Sequence, residues 1–139
     1  MSNVDLHRAA HAAMNTEGPA AAAEYFAEDA TYFDAARALH LKGREELTGW
    51  LSGWKTAFSD ATIAEAEYLE AGDWTISRFQ GQGTNDGPLG PLPATGKRMD
   101  LPYCELCRWE NGKMVDGALY YDTGSIMVQL GHMEPMPAA

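Results

Sequence analysis

The spacing of apolar residues changes near residue 60, and this change divides the chain into a helical part and a strand part. Before it, apolar residues recur at intervals of three and four, as on one face of an amphipathic helix: Leu47, Trp50, Leu51, Trp54 and Phe58. After it, apolar and polar residues alternate, which predicts strands at about 62–70, 73–84, 97–110 and 113–122. Helices followed by a run of strands indicate an α+β domain.

Two further helices and a strand are predicted before this amphipathic helix. Ser2 and Asp5 have the spacing of a capping box, which opens a helix over about residues 3–15. Pro19 occupies the tolerated first position of a second helix, which the alanine-rich run after it continues. A short strand over residues 30–34 follows.

Turn residues separate the strands of the second part. Asn111-Gly112 suits the type I′ turn of a tight hairpin. Segment 83–96 holds four glycines and three prolines, so it is a loop between antiparallel strands, and long loops are often functional. Residues 132–139 are expected to form a flexible tail, which leaves 1–131 as a single domain.

Charge and composition argue against several classes of protein. The 139 residues carry a net charge of −10 with scattered basic residues, which argues against nucleic-acid binding. No apolar run approaches the roughly 20 residues that a membrane span needs. The amino terminus lacks the basic start and apolar run of a signal peptide, so we expect a cytoplasmic protein.

Neither the cysteines nor the first histidines predict a metal or redox site. Cys104 and Cys107 lie in a predicted strand, where residues three apart face opposite sides, too distant for a disulfide. No second cysteine pair completes a zinc site. His7 and His11 have the i, i+4 spacing of a metal clamp, but without a third ligand we expect a pair that faces solvent.

Three stretches in the same order resemble the SnoaL-like polyketide cyclase and ester cyclase family, within the nuclear-transport-factor-2-like fold. They are ATYFD through GWLSGWKTAFSD, then EAGDWTISRFQGQGTNDGPLGPLPATGKRM, and CRWENGKMVDGALYYDTGSIMVQLG. The resemblance implies a cone-shaped α+β barrel, with N-terminal helices packed on a strongly curved antiparallel or mixed sheet around an apolar pocket. Relatives often pair through the outer sheet face, which implies a homodimer. No phosphate-binding or dinucleotide-binding motif is present, so no cofactor is expected.

The resemblance also assigns a candidate base to the first predicted strand. In ketosteroid-isomerase-like relatives a general-base aspartate ends this strand, where this chain has Asp34. Strand alternation puts Tyr32 on the same face, where it would orient Asp34 or donate to a substrate oxygen. Burial in an apolar pocket raises the pKa of a carboxyl group, which suits proton transfer to and from carbon. The alternative is that Asp34 caps a turn.

The catalytic acid of the family is missing from its usual place. By the resemblance it falls on Leu119, which cannot transfer a proton. Asp122 lies on the opposite strand parity and is expected to cap the segment that follows. Glu105 is about as far from the 111–112 turn as Leu119 is, so a carboxylate on the neighbouring strand can replace the acid. The alternative is a surface glutamate.

Several other residues are candidates for substrate binding. Aromatic side chains that line the cavity would select a flat or apolar ligand: Trp50, Trp54, Phe58, Trp74, Tyr103 and Tyr121. Arg78 can bind a carboxylate or enolate oxygen, with pairing to Glu65 or Glu67 as the alternative. His40 can act at the pocket mouth, with a solvated loop histidine as the alternative.

Together these features predict cofactor-free acid/base chemistry on a small apolar, polyketide-like or polycyclic carbonyl compound. The reaction is cyclisation by intramolecular aldol addition or isomerisation, with Asp34 as base, Tyr32 as its partner and Glu105 as acid. A binding module without catalysis is the alternative, which Leu119 supports. An epoxide hydrolase is the third hypothesis, although it needs two acids around a water, and Gln80 and Leu119 both count against it.

Overall fold

The computed structural model describes residues 1–138, which form four α-helices and six strands. The helices are α1 (Asn3–Thr16), α2 (Pro19–Ala23), α3 (Arg44–Ala57) and α4 (Thr123–Gln129). The strands are β1 (Phe26–Asp34), β2 (Leu39–Lys42), β3 (Thr62–Ala71), β4 (Trp74–Thr84), β5 (Arg98–Glu110) and β6 (Lys113–Tyr120). A turn of 3₁₀ helix covers Ala35–Arg37. None of the helices in the described range is long and apolar enough to cross a membrane.

All six strands join one mixed sheet in the order β2-β1-β6-β5-β4-β3. β1 runs parallel to β6, and every other neighbouring pair is antiparallel. The register shifts between Ala64 and Glu67 on β3 and between Arg108 and Trp109 on β5, and such bulges increase local twist and bend a strand. Helices α1 and α3 pack on this sheet, so the predicted α+β fold is confirmed.

The capping box predicted for the first helix is confirmed. Ser2 Oγ accepts from the backbone N–H of Asp5, and the Asp5 carboxylate accepts from the N–H of Ser2, both at 3.1 Å. The buried stripe of α1 runs at helical spacing through His7, Ala10, His11 and Met14. The expectation that the two histidines face solvent is therefore wrong, because they share the stripe that packs on the sheet.

The boundary between α2 and β1 differs from the prediction. The alanine-rich run is helical only to Ala23, and the strand predicted for residues 30–34 begins at Phe26. The cause is pairing with β6, since the N–H of Met114 donates to the Tyr25 carbonyl at 2.9 Å. Tertiary pairing here overrides the helical propensity of the preceding alanines.

Besides the 3₁₀ turn, two short elements were not predicted, and both flank strands that were. β2 contains only four residues and pairs with the second half of β1, from Thr31 to Asp34. α4 follows β6, and its N-cap is Asp122, whose Oδ1 accepts from Gly124 N–H at 2.9 Å and whose Oδ2 accepts from Ser125 Oγ at 2.8 Å. The capping role predicted for Asp122 is confirmed.

The predicted turns and loop lie where expected. Asn111 and Gly112 have φ values of 50° and 78°, as a type I′ hairpin turn requires. The segment between β4 and β5 is organised by the buried side chain of Asn85. Its Nδ2 donates to the Ala57 carbonyl at 3.1 Å, and its Oδ1 accepts from the Thr95 N–H at 2.9 Å.

Candidate active site

A cavity of about 110 Å³ lies between the helices and the inner face of the sheet. Its wall is largely aromatic and apolar, with Trp50, Trp54, Phe79, Tyr103, Trp109 and Met114 among its residues. An apolar cavity of about 150 Å³ is known to hold benzene, so this space matches about one small ring. The cavity therefore favours a flat, apolar ligand group.

Glu105 places a carboxylate in this apolar wall. Its Oε1 lies 2.7 Å from Nε2 of His7 and 2.7 Å from Nε2 of His11, and both histidines also line the cavity. Its Oε2 accepts a hydrogen bond from the Tyr32 hydroxyl. Among the lining residues, Glu105 is the one acidic side chain. The structure thus brings two predicted residues, Glu105 and Tyr32, together with two histidines.

The hydrogen bonds decide the protonation of this cluster. Burial alone would raise the pKa of Glu105, but hydrogen bonds from His11 and His7 outweigh it and hold that pKa well below its usual range. Burial, and next the charge of Glu105, raise the pKa of Tyr32 well above its ordinary value. Glu105 is therefore a carboxylate at neutral pH, and Tyr32 is a protonated donor.

The position of the Tyr32 ring depends on its neighbour across the sheet. Tyr32 on β1 pairs with Gly117 on β6, and a Cβ at residue 117 would lie 2.7 Å from the ring. On another side the ring meets Trp50, with 4.9 Å between the ring centroids. The absent side chain at Gly117 is what lets the hydroxyl reach Glu105.

Behind the histidines lies a second layer of hydroxyl groups. Thr75 Oγ1 accepts from Trp109 Nε1 at 2.8 Å and lies 2.7 Å from His7 Nδ1. Because the indole N–H can only donate, the Thr75 hydrogen is free to point at His7 Nδ1, which then accepts. The proton of a neutral His7 is thereby on Nε2, where it donates to Glu105. The Tyr68 hydroxyl lies 2.9 Å from His11 Nδ1 and can act in the same way.

Asp34 is buried, but it is not one of the cavity-lining residues. Its Oδ2 accepts from Trp50 Nε1 and from the Tyr121 hydroxyl, each at 3.0 Å, and lies 3.5 Å from Arg37 Nε. Its Oδ1 is buried without a hydrogen-bond partner in the described part of the chain. The prediction that the Asp34 carboxylate lies at the pocket with Tyr32 is thus corrected. Asp34 lies behind Trp50, and Tyr32 bonds to Glu105 instead.

Of the predicted aromatic binding residues, Trp50, Trp54 and Tyr103 line the cavity. Phe58 and Tyr121 do not line it; they pack behind Trp54, with ring centroids 6.4 and 5.5 Å away. These two residues support the wall from behind.

Trp74, Arg78 and His40 are not at the cavity, which corrects their predicted place. On β4 the alternation turns Thr75 and Phe79 inward, so Trp74 and Arg78 face the other side. Arg78 Nη2 lies 3.1 Å from Glu67 Oε2, the ion pair that was the alternative interpretation. His40 is exposed on β2 and stacks on Phe33.

Comparison with known proteins gives consistent matches. Residues 4–130 match the family described as SnoaL-like polyketide cyclase. The aklanonic acid methyl ester cyclase DauD of Streptomyces sp. (strain C5) is 30% identical over 138 residues, which cover 96% of this chain and 84% of that protein. The aklanonic acid methyl ester cyclase DnrD of Streptomyces peucetius is 34% identical over 98 residues, 70% of this chain and 68% of that one.

Solved structures agree with the fold. A putative polyketide cyclase from Pseudomonas putida superposes with a TM-score of 0.83 at 19% identity, over 93% of this chain and 98% of its own. A hypothetical protein from Catenulispora acidiphila, solved in complex with trimethylamine, gives 0.82 at 23% identity over 98% and 100% of the two chains. The latter is described as having a ketosteroid isomerase-like fold, which is the fold seen here.

Proposed function

Since the chain belongs to the SnoaL-like polyketide cyclase family, we propose that it closes a ring in a small, apolar, polyketide-like carbonyl compound. The reaction is an intramolecular aldol addition without a co-reactant. A proton α to one carbonyl is removed, the enolate carbon bonds to the second carbonyl carbon, and the new alkoxide takes up a proton. Two relatives named as aklanonic acid methyl ester cyclases support this class of reaction.

The observation that carries the proposal is the Glu105 carboxylate in an apolar cavity wall. Its Oε1 accepts from both histidines and its Oε2 from Tyr32, which leaves one acceptor position on Oε2 for a substrate proton. Glu105 first takes the α proton as base and then returns it to the alkoxide as acid. It thereby replaces Asp34 as base and keeps the acid role predicted for it.

The neighbours of Glu105 supply the electrostatics of the reaction. When Glu105 accepts the proton, the negative charge moves to the substrate oxygen. The Nε2–H groups of His7 and His11 donate to Glu105 Oε1, so their positive ends lie beside the carboxylate and stabilise negative charge on a substrate oxygen bound next to it. Tyr32 holds the Glu105 side chain in place through the transfer.

The decisive experiment compares Glu105→Gln with the wild type. Aromatic diketones with one ring, the size that matches the cavity, are the first substrates to test, followed by aklanonic acid methyl ester, with ring closure and α-proton exchange in D₂O as the two readouts. General acid/base catalysis contributes about 10²–10⁴-fold, so we expect turnover to fall by at least about 100-fold. Glu70→Gln, at an exposed position of β3, is the matched control and keeps its activity. A folded Glu105→Gln protein that cyclises at the wild-type rate contradicts the mechanism.

A binding module without catalysis is the second candidate. It is favoured by Leu119 in the place of the family acid and by the lowered pKa of Glu105, which makes the carboxylate a weaker base. Wild-type protein that binds the methyl ester without exchanging its α proton in D₂O would support this second function.

A further inference from the structure

We propose that His7, His11 and Glu105 also bind a divalent transition-metal ion at the cavity wall. One ligand atom from each residue lies within 4.8 Å of the others, and all three side chains line the cavity. Two imidazole nitrogens and one carboxylate oxygen are a donor set that proteins use for zinc and iron. The open coordination positions would face the cavity, where a ligand oxygen can enter.

The fold aims these donors at one point. His7 and His11 are one helical turn apart on α1, so their rings project from the same face. Both Nε2 atoms lie 2.7 Å from the same Glu105 oxygen. Metal bonds of about 2.0–2.2 Å need ligand atoms about 3.0–3.5 Å apart, so the carboxylate must move by about 0.3–0.8 Å. The Glu105 side chain is 15% exposed and borders the cavity, which gives it that room.

The hydroxyl groups behind the histidines can hydrogen-bond to them whether Nε2 carries a proton or a metal ion. A metal-bound His7 carries its proton on Nδ1, which then donates to Thr75 Oγ1 at 2.7 Å. The Thr75 hydrogen turns to its other acceptor, the Cys107 carbonyl at 3.5 Å. The Tyr68 hydroxyl accepts from His11 Nδ1 in the same way, at 2.9 Å. Hydrogen bonds of this kind orient histidine ligands in metal sites.

Metal binding and proton transfer exclude each other at this site. The ion displaces the Nε2 protons of both histidines and occupies a Glu105 lone pair. A metal-bound carboxylate is a much weaker base, so the ion inhibits cyclisation. The inhibition rests on the proposed function, whereas the binding itself does not.

The test uses full-length protein without a histidine tag, stripped with EDTA and then titrated with Co²⁺ by visible absorption and with Zn²⁺ by calorimetry. We expect one ion per chain. Loss of a hydrogen bond to a metal-binding histidine costs about 10–100-fold in metal affinity, so we expect Thr75→Val to weaken binding by that factor. His11→Gln removes a ligand and should weaken binding further. His40→Gln removes an exposed histidine away from the cavity and keeps the wild-type affinity.

Glu105→Gln provides a second test of the binding site if His11→Gln does not fold. The proposal is overturned if wild-type protein binds Co²⁺ and Zn²⁺ no more tightly than both ligand variants, or if His40→Gln weakens binding equally. One equivalent of Zn²⁺ that stops turnover, with recovery on adding EDTA, supports the competition. Binding without any cyclase activity supports the metal site and counts only against the proposed function. Cyclisation without metal binding supports the proposed function and counts against the metal site.

Discussion

Glu105 on β5 lies directly opposite Leu119 on β6. The two Cβ atoms of such a cross-strand pair are about 4.5–5.5 Å apart. The carboxylate of this chain and the position that the family resemblance gives to the catalytic acid therefore belong to one small region of the cavity wall.

A carboxylate should be movable between these two positions. Leu119→Asp alone puts two carboxyl groups side by side in a buried place, so one must be protonated and the free energy of unfolding falls. The double variant Glu105→Gln/Leu119→Asp relieves that repulsion. We expect its turnover to exceed that of Glu105→Gln by about tenfold or more, since acid/base catalysis is worth about 10²–10⁴-fold. A double variant no more active than Glu105→Gln shows that only position 105 can hold the group.

Tyr32→Phe removes the hydroxyl donor to Glu105 and keeps the ring. A hydrogen bond to a charged group contributes about 1.5–3 kcal/mol, so the free energy of unfolding in urea should fall by that amount. Turnover should fall as well, because Glu105 loses its anchor. Tyr120→Phe, at an exposed tyrosine of β6, is the control and leaves both quantities unchanged. Equal urea midpoints for Tyr32→Phe and wild type would show that the bond adds nothing.

Asp34→Asn should leave turnover within a few-fold of the wild type. Asp34 is not in the cavity wall, and an amide oxygen can still accept from Trp50 and Tyr121. The amide nitrogen would take the place of Oδ1, which has no hydrogen-bond partner in the described part of the chain. Steady-state kinetics of the folded variant measure this. A loss above about 100-fold would return the role of base to Asp34.

The cap of α4 should make stability depend on pH in acid. Hydrogen bonds from the Ser125 side chain and then the Gly124 N–H lower the pKa of Asp122 from 3.8. A carboxyl whose folded pKa is depressed stabilises the fold above its unfolded pKa and loses that effect as pH falls through the folded value. Asp122→Asn caps without titrating. Below pH 3.8 the wild-type Tm should therefore drop more than that of Asp122→Asn; parallel curves would contradict the assignment.

The outer face of the sheet is the expected surface of a homodimer. Leu69 is 66% exposed and Tyr120 is 47% exposed. Tyr120 shares its face with Arg78, because both lie opposite Cys104 in adjacent strand pairs. Light scattering at micromolar concentration should give twice the 15.1 kDa chain mass. Leu69→Asp should shift the mass toward the monomer, and a monomeric wild type refutes the prediction.

Local sequence patterns were enough to predict most of the framework. The Asn111-Gly112 turn placed Glu105 about level with Leu119, and the register shift between Arg108 and Trp109, which was not predicted, makes the two residues direct partners. The stripe of α3 supplied two of the aromatic wall residues, Trp50 and Trp54. These features depend on periodicity and turn chemistry, which the sequence displays directly.

Such local patterns did not predict the cluster of His7, His11 and Glu105. His7 and His11 count as polar in a hydropathy pattern, although their spacing to Ala10 and Met14 would have placed them on the buried stripe. Their partner is on a distant strand, and no local signal links α1 to Glu105. Asp34 was predicted as the base from its likeness to relatives, yet its carboxylate accepts a hydrogen bond from the Trp50 indole and lies outside the cavity wall.

The bonds that fix Glu105 span 98 residues to His7 and 94 residues to His11. A ribosome releases α1 early, while β5 emerges only after most of the protein has been made. During that interval the nascent chain contains both histidines, but their hydrogen-bond partner Glu105 has not yet been synthesised. Assembly of the chemical centre is thus a late step of biogenesis, and any product terminated before β5 lacks its carboxylate.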